Sequence, residues 1–204
     1  MLKSLGAEQG QVITLSHQLH GSKVVPVTSD TKVDFLSREL PEGDGLYTAL
    51  KGVFLGARGA DCASILFYSP SAGIVGAVHA GWRGTKEKIL KKTLEMVIND
   101  GSATPTGFYF YIGPAAQVCC YEVSKYLTRE KDFEFFFRDD LERRAGRVFL
   151  NFVAANIRQL HELGIKDERI ENSGICSIHN QDYPSHRREK TSRRRTLLAL
   201  IGRI

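Results

Sequence analysis

The sequence contains no apolar run approaching the ~20 residues needed to cross a bilayer and no amino-terminal stretch of the signal-peptide kind. These absences argue against a helical membrane protein and make a reducing cytoplasm the expected compartment. Cysteine is scarce: Cys62, Cys119, Cys120 and Cys176 fall at no even spacing, so a disulfide framework is not expected. Internal repeats and low-complexity linkers are missing too, and 204 residues suit one domain over 1–204 that buries a substantial core. Most of the chain also lacks excess charge. The net +5 is carried wholly by residues 182–204, where Arg187, Arg188, Lys190, Arg193, Arg194, Arg195 and Arg203 face only Asp182 and Glu189. Without a global basic field, a dedicated nucleic-acid binder is not expected. The basic segment itself reads either as an anion site, phosphate above all, or as a solvated loop.

What is present is concentrated at residues 59–85, GADCASILFYSPSAGIVGAVHAGWRGT. Two short apolar runs, Ala63 to Tyr68 and Ile74 to Val78, flank the turn signal Ser69-Pro70-Ser71-Ala72-Gly73. Antiparallel pairing about that turn brings Cys62 and His79 to the same open end of a sheet. A thiol beside an imidazole there reads as a metal or catalytic site, or as a buried cysteine next to a structural histidine. Asp61 is either a site partner, reached only if the backbone bends, or a strand-end cap. Arg83 stands between Gly81 and Gly84, which would let the backbone approach a ligand while the guanidinium offers a planar fork to phosphate. Trp82, the sole tryptophan, is core or a stacking wall.

Elsewhere, Gln11 to Leu15 and Lys23 to Thr28 read as strands, with Pro26 marking an edge and His20 between them. Gly43-Asp44-Gly45 reads as a turn and Lys51 to Ala57 as a strand. Thr85 is the expected N-cap of a helix burying Ile89, Leu90, Leu94, Val97 and Ile98. Gly107 to Ile112 alternates as a strand should, and Gly113-Pro114 breaks it before a short helix at Tyr121 to Leu127. Cys119 and Cys120 fall near that helix start, as packing or pocket-lining residues or as activated thiols. Asn151 to Leu163 reads as a helix ended by Gly164, and Arg169 to Ser173 and Arg195 to Ile201 as strands. The pattern implies an α+β fold with mixed, largely antiparallel β-sheets covered by helices.

Residues 60–62 (ADC), 77–84 (AVHAGWRG) and 112–123 (IGPAAQVCCYEV), with His20-Gly21 upstream, resemble in order and interval the signatures of the laccase-domain family of purine nucleoside phosphorylases. That resemblance implies a zinc-dependent enzyme phosphorolysing adenosine, inosine and S-methyl-5′-thioadenosine and deaminating adenosine. It implies His20, Cys62 and His79 as metal ligands, Asp61 and Arg83 as catalytic residues, and Arg83, Arg187 and Arg188 as the phosphate site. Two imidazoles and a thiolate suit zinc with one position open, which lowers the pKa of a bound water toward ~7. The segment Tyr183-Pro184-Ser185-His186-Arg187-Arg188 resembles the family's aromatic-Ser-aromatic-Arg-Arg segment, with His186 where an aromatic residue is usual. Family members generally carry a longer segment before the first histidine, so a pocket with one wall reduced is expected.

Two rival readings come from other classes. The family's other name implies copper-dependent phenol oxidation, and copper would compete well for a His2Cys set. A full multicopper oxidase set needs on the order of ten histidines, and the chain has 6. A non-enzymatic binding module using the basic segment would show salt-dependent association with nucleic acid and no metal requirement.

Overall fold

The computed structural model describes residues 12–15, 17–31, 42–99, 103–127, 130, 132–190 and 195–204. The chain runs through short strands β1 (Val12–Thr14), β2 (Val24–Pro26) and β3 (Gly45–Thr48), then β4 (Phe54–Gly59), β5 (Ala63–Ser69) and β6 (Ile74–Ala80). Helices α1 (Trp82–Lys86) and α2 (Ile89–Asn99) follow, then β7 (Tyr109–Ile112), α3 (Ser124–Leu127) and α4 (Phe133–Phe137). The remainder is β8 (Leu141–Arg144), β9 (Arg147–Leu150), α5 (Phe152–Glu162), β10 (Ile170–Asn172), α6 (His186–Glu189) and β11 (Leu197–Gly202).

A six-stranded sheet in the order β10-β7-β5-β6-β3-β2 is the centre, with a three-stranded sheet β1-β4-β11 and the separate hairpin β8-β9. Five of these eight pairings are antiparallel, so the expected α+β architecture of mixed, largely antiparallel sheets holds. Pro26 is on the edge strand β2, where its missing N–H leaves no gap in the ladder.

The β5–β6 hairpin forms in the register Ser64↔His79 and Ile65↔Val78. Every residue of β6 is buried, because the sheet is covered on both faces. Ala63, Ile65, Phe67 and Val78 face α2 and α5 in the larger core. Val75 and Ala77 face the small sheet, packing with Leu55 and Ala57 of β4. The strand period of two carries that second face on to His79, so the imidazole emerges at the end of the seam between the sheets. Cys62, one residue before β5, arrives at the same place.

Several local expectations give way to the structure. The helix expected from Thr85 is two helices, broken where Lys88 takes a left-handed φ of 60°. Gly81 rather than Thr85 is the N-cap position. Thr85 is buried inside α1, its hydroxyl accepting from Asn156 Nδ2 at 2.8 Å. Ile89, Leu90, Leu94 and Val97 are buried as the apolar stripe requires. Tyr121 and Val123 precede the short helix instead of starting it, their backbones pairing with Leu150 and Val148, so Cys119 and Cys120 lie in a turn and not at a helix start. Strands β3 and β8–β9 and helix α4 had no counterpart in the sequence reading. Arg193 and Arg194 of the basic segment lie outside the described residues.

Candidate active site

His20, Cys62 and His79 converge, their ligand atoms all within 4.8 Å of one another. The two imidazoles stand edge to face with centroids 4.8 Å apart. Their orientations are fixed by acceptors behind them. Nδ1 of His79 donates to Asp44 Oδ1 at 2.9 Å, and Nδ1 of His20 donates to the Gln18 carbonyl at 3.1 Å. Each ring therefore keeps its Nε2 lone pair for the cluster, the tautomer that metal-binding histidines adopt when an outer partner holds the other nitrogen.

Asp44 is the functional residue that sequence reading missed, since the Gly-Asp-Gly context signals only a turn. Its fully buried carboxylate also accepts the backbone N–H groups of His20 and Gly21, each at 2.9 Å. Burial pushes that carboxyl up, but His79 and the two amides outweigh it and hold it below the ordinary value. Burial likewise opposes charge on His79, yet the hydrogen bond to Asp44 and the nearby thiol lift it to about 9. Cys62 is pushed up by burial and drawn down more strongly by His20 and His79, to about 7. His20 is raised chiefly by its hydrogen bond with Cys62. Without a metal the three groups thus favour a thiolate beside protonated imidazoles, and a thiophilic, imidazole-binding metal such as zinc would replace those Nε2 protons.

The backbone is bent to achieve this. His20 and Asp61 hold left-handed φ of 59° and 87°, conformations that cost about 1–3 kcal/mol in a non-glycine residue. A Cβ at Gly81 would stand 2.8 Å from Cys62 Sγ, and one at Gly84 would stand 2.8 Å from the Gly21 carbonyl. These glycines therefore make room for the thiol and the His20 loop.

The donor set lines a cleft of about 770 Å³ that is also bordered by Asp61, Arg83, His186 and Arg187. Arg83 is half-exposed, 3.3 Å from Glu130, and stacks 4.3 Å from the Trp82 ring. Trp82 is mainly core, edge-on to Phe133 at 5.1 Å. Arg187 lies 4.5 Å from the Tyr121 ring, with its guanidinium also donating to the Glu122 carbonyl. Asp61 accepts from Ser177 Oγ at 2.8 Å and from the Arg187 backbone N–H at 2.7 Å. Both carboxylate oxygens thus tie down the carboxyl-terminal segment. Arg188 is not in the cleft lining. Its guanidinium reaches the carbonyls of Ser177, Asn180 and Tyr183 at 2.6, 3.0 and 2.5 Å and Glu189 at 3.1 Å.

Fold and site together define an α+β protein with a preassembled thiol and imidazole donor set beneath a rim of arginines. The chain belongs to the multi-copper polyphenol oxidoreductase laccase family, whose sequence model matches residues 1–202. Among its relatives, purine nucleoside phosphorylase of Aquifex aeolicus (strain VF5) is 38% identical over 168 residues, 81% of this chain and 75% of that protein. Purine nucleoside phosphorylase YlmD of Geobacillus stearothermophilus is 35% identical over 197 residues, 91% of this chain and 70% of its own. The crystal structure of YlmD from Geobacillus stearothermophilus matches with a TM-score of 0.84 at 31% identity, covering 98% of this chain and 76% of that one. The crystal structure of Bacillus licheniformis hypothetical protein YfiH matches with a TM-score of 0.86 at 27% identity, covering 99% and 78%. Among the described residues no helix is long and apolar enough to cross a membrane.

Proposed function

We propose that the protein is a purine nucleoside phosphorylase that also deaminates adenosine, with zinc held by His20, Cys62 and His79. The observation that carries this reading is the convergence of that donor set at a cleft rimmed by Arg83 and Arg187. Relatives named purine nucleoside phosphorylase support it. A zinc ion there supplies Lewis acidity for nucleophilic chemistry at an electrophilic carbon.

The protein's own groups do the rest. Arg83 and Arg187 bind inorganic phosphate, their planar forks matching its oxygens. One oxygen of hydrogen phosphate attacks C1′ of the nucleoside, the C1′–N bond breaks with its electron pair going to the base, and the proton that the phosphate gives up ends on the departing base. Asp44 holds the His79 ring in register. Asp61, engaged on both oxygens, positions Arg187 through its backbone instead of relaying protons. Arg188 acts on phosphate only indirectly, by folding the segment that presents Arg187.

Chromatography of adenosine, inosine and S-methyl-5′-thioadenosine incubations with and without phosphate tests the proposal. Free base and a pentose 1-phosphate should appear only with phosphate, and inosine should form from adenosine without it. Arg83→Lys keeps the charge and loses the fork, so the phosphate Michaelis constant should rise on the order of tenfold, equivalent to about 1.4 kcal/mol, with deamination little changed. Oxidised phenol with no nucleoside turnover would favour the copper oxidase reading, and equal loss of both nucleoside activities would remove Arg83 from the phosphate site.

A further inference from the structure

A second cluster of metal-ligating atoms lies outside the cleft. Cys119, Cys120 and Cys176 bring their sulfurs within 4.8 Å of one another, although 56 residues separate the last two in sequence. The Cys119 and Cys120 sulfurs are 3.5 Å apart, far beyond the ~2.05 Å of a disulfide bond, and all are free thiols. None of them lines the cleft.

The backbone builds this cluster. Cys120 and Tyr121 donate their N–H groups to the Gln117 carbonyl at 3.0 and 2.9 Å, closing the turn that carries the thiol pair. The third thiol is brought alongside by a parallel bridge, in which Ala115 donates to Ile175 O at 3.1 Å and Ser177 donates to Ala115 O at 3.0 Å. Arg144 brings positive charge to the turn by donating to the Val118 and Cys119 carbonyls at 2.7 and 3.3 Å.

We infer that Cys119, Cys120 and Cys176 form a second metal site, distinct from the His2Cys set, which takes a soft monovalent cation of the Cu(I) class. The chemistry of the donors chooses the ion. The group offers three sulfurs with no imidazole or carboxylate, and all-sulfur sets select soft ions. A closed zinc site wants four ligands, whereas three thiolates complete a trigonal Cu(I) site. Loading exchanges protons for metal: the three S–H groups release three protons as three S–Cu bonds form, with no change of oxidation state. Cys119 is exposed and the other two are half-buried, so an ion can enter without unfolding.

The test is anaerobic Cu(I) titration of the Cys62→Ala variant of the 204-residue chain against a chromophoric Cu(I) chelator, with X-ray absorption to identify the donors. Zinc-saturated wild type serves the same purpose if that variant does not fold. One equivalent bound by sulfur alone is expected. In the same background, Cys119→Ser and Cys176→Ser should each weaken binding by more than the ~10–100-fold lost with an outer-shell partner. Nitrogen donors in the absorption spectrum, unchanged affinity in both serine variants, or tighter binding of Zn(II) than of Cu(I) would each overturn the inference. This readout is independent of nucleoside turnover, so the two proposals stand or fall separately.

Discussion

In the proposed zinc site, Asp44 decides whether His79 can serve as a ligand or is merely a buried histidine. With the carboxylate in place, Nδ1 is committed and Nε2 is free; without it, the ring can rotate or change tautomer. Asp44→Ala should therefore lower zinc affinity about 10–100-fold by chelator competition, while Asp44→Asn, which can still accept from Nδ1 and one amide, should lose less. Equal affinity in Asp44→Ala and wild type would mean that the loop, and not the carboxylate, orients the imidazole. This residue also marks the limit of the sequence reading. Cys62 and His79 were legible because one local hairpin joins them. Asp44 meets His79 across the β3–β6 pairing, at a separation of 35 residues, and a lone aspartate between glycines carries no signal of so distant a partner. The meeting of Cys176 with Cys119 and Cys120 was hidden in the same way, because it rests on a bridge between residues distant in sequence.

At the scale of elements, the segment from Ser177 to Glu189 behaves as a clasp folded around the Arg188 guanidinium and anchored on Asp61. Truncating Arg188 to Ala leaves several carbonyls without a donor. Each orphaned acceptor costs about 1–3 kcal/mol where water cannot replace it, and about 2–4 °C of Tm accompanies each kcal/mol in a protein of this size. Arg188→Ala should thus lower Tm by several degrees in calorimetry, and Arg188→Lys should not restore it, because an ammonium cannot span carbonyls on opposite sides. An unchanged Tm would remove the clasp. The strands expected from pattern formed wherever hydrophobicity alternates or a turn signal bounds the run. Strand β8, Leu-Glu-Arg-Arg, has neither alternation nor a buried charged side chain, and pairs because Ala145 and Gly146 both turn left-handed at φ 47° and 72°. The break at Lys88 was hidden for a similar reason, since lysine is a good helix former and its left-handed φ of 60° has no marker in the local sequence.

At the scale of the molecule, the donor set ties together the loop before β2, the β4–β5 junction and the end of β6. A metal there would link both sheets, and because the unfolded chain does not preassemble these groups, loading should stabilise the whole fold. Free zinc at about 100 times its Kd contributes about 2.7 kcal/mol, so Tm should rise by roughly 5–11 °C. The shift should vanish in Cys62→Ala, and a shift that survives there would mean that zinc acts elsewhere. The left-handed turn at His20 has the opposite bearing on heat resistance. Its side chain is exposed and its backbone is one that glycine or asparagine adopts with less strain. Laboratory selection for thermal tolerance in the absence of metal would therefore reward loss of this imidazole, and a variant improved in that way would be a better-folded protein with a dismantled centre.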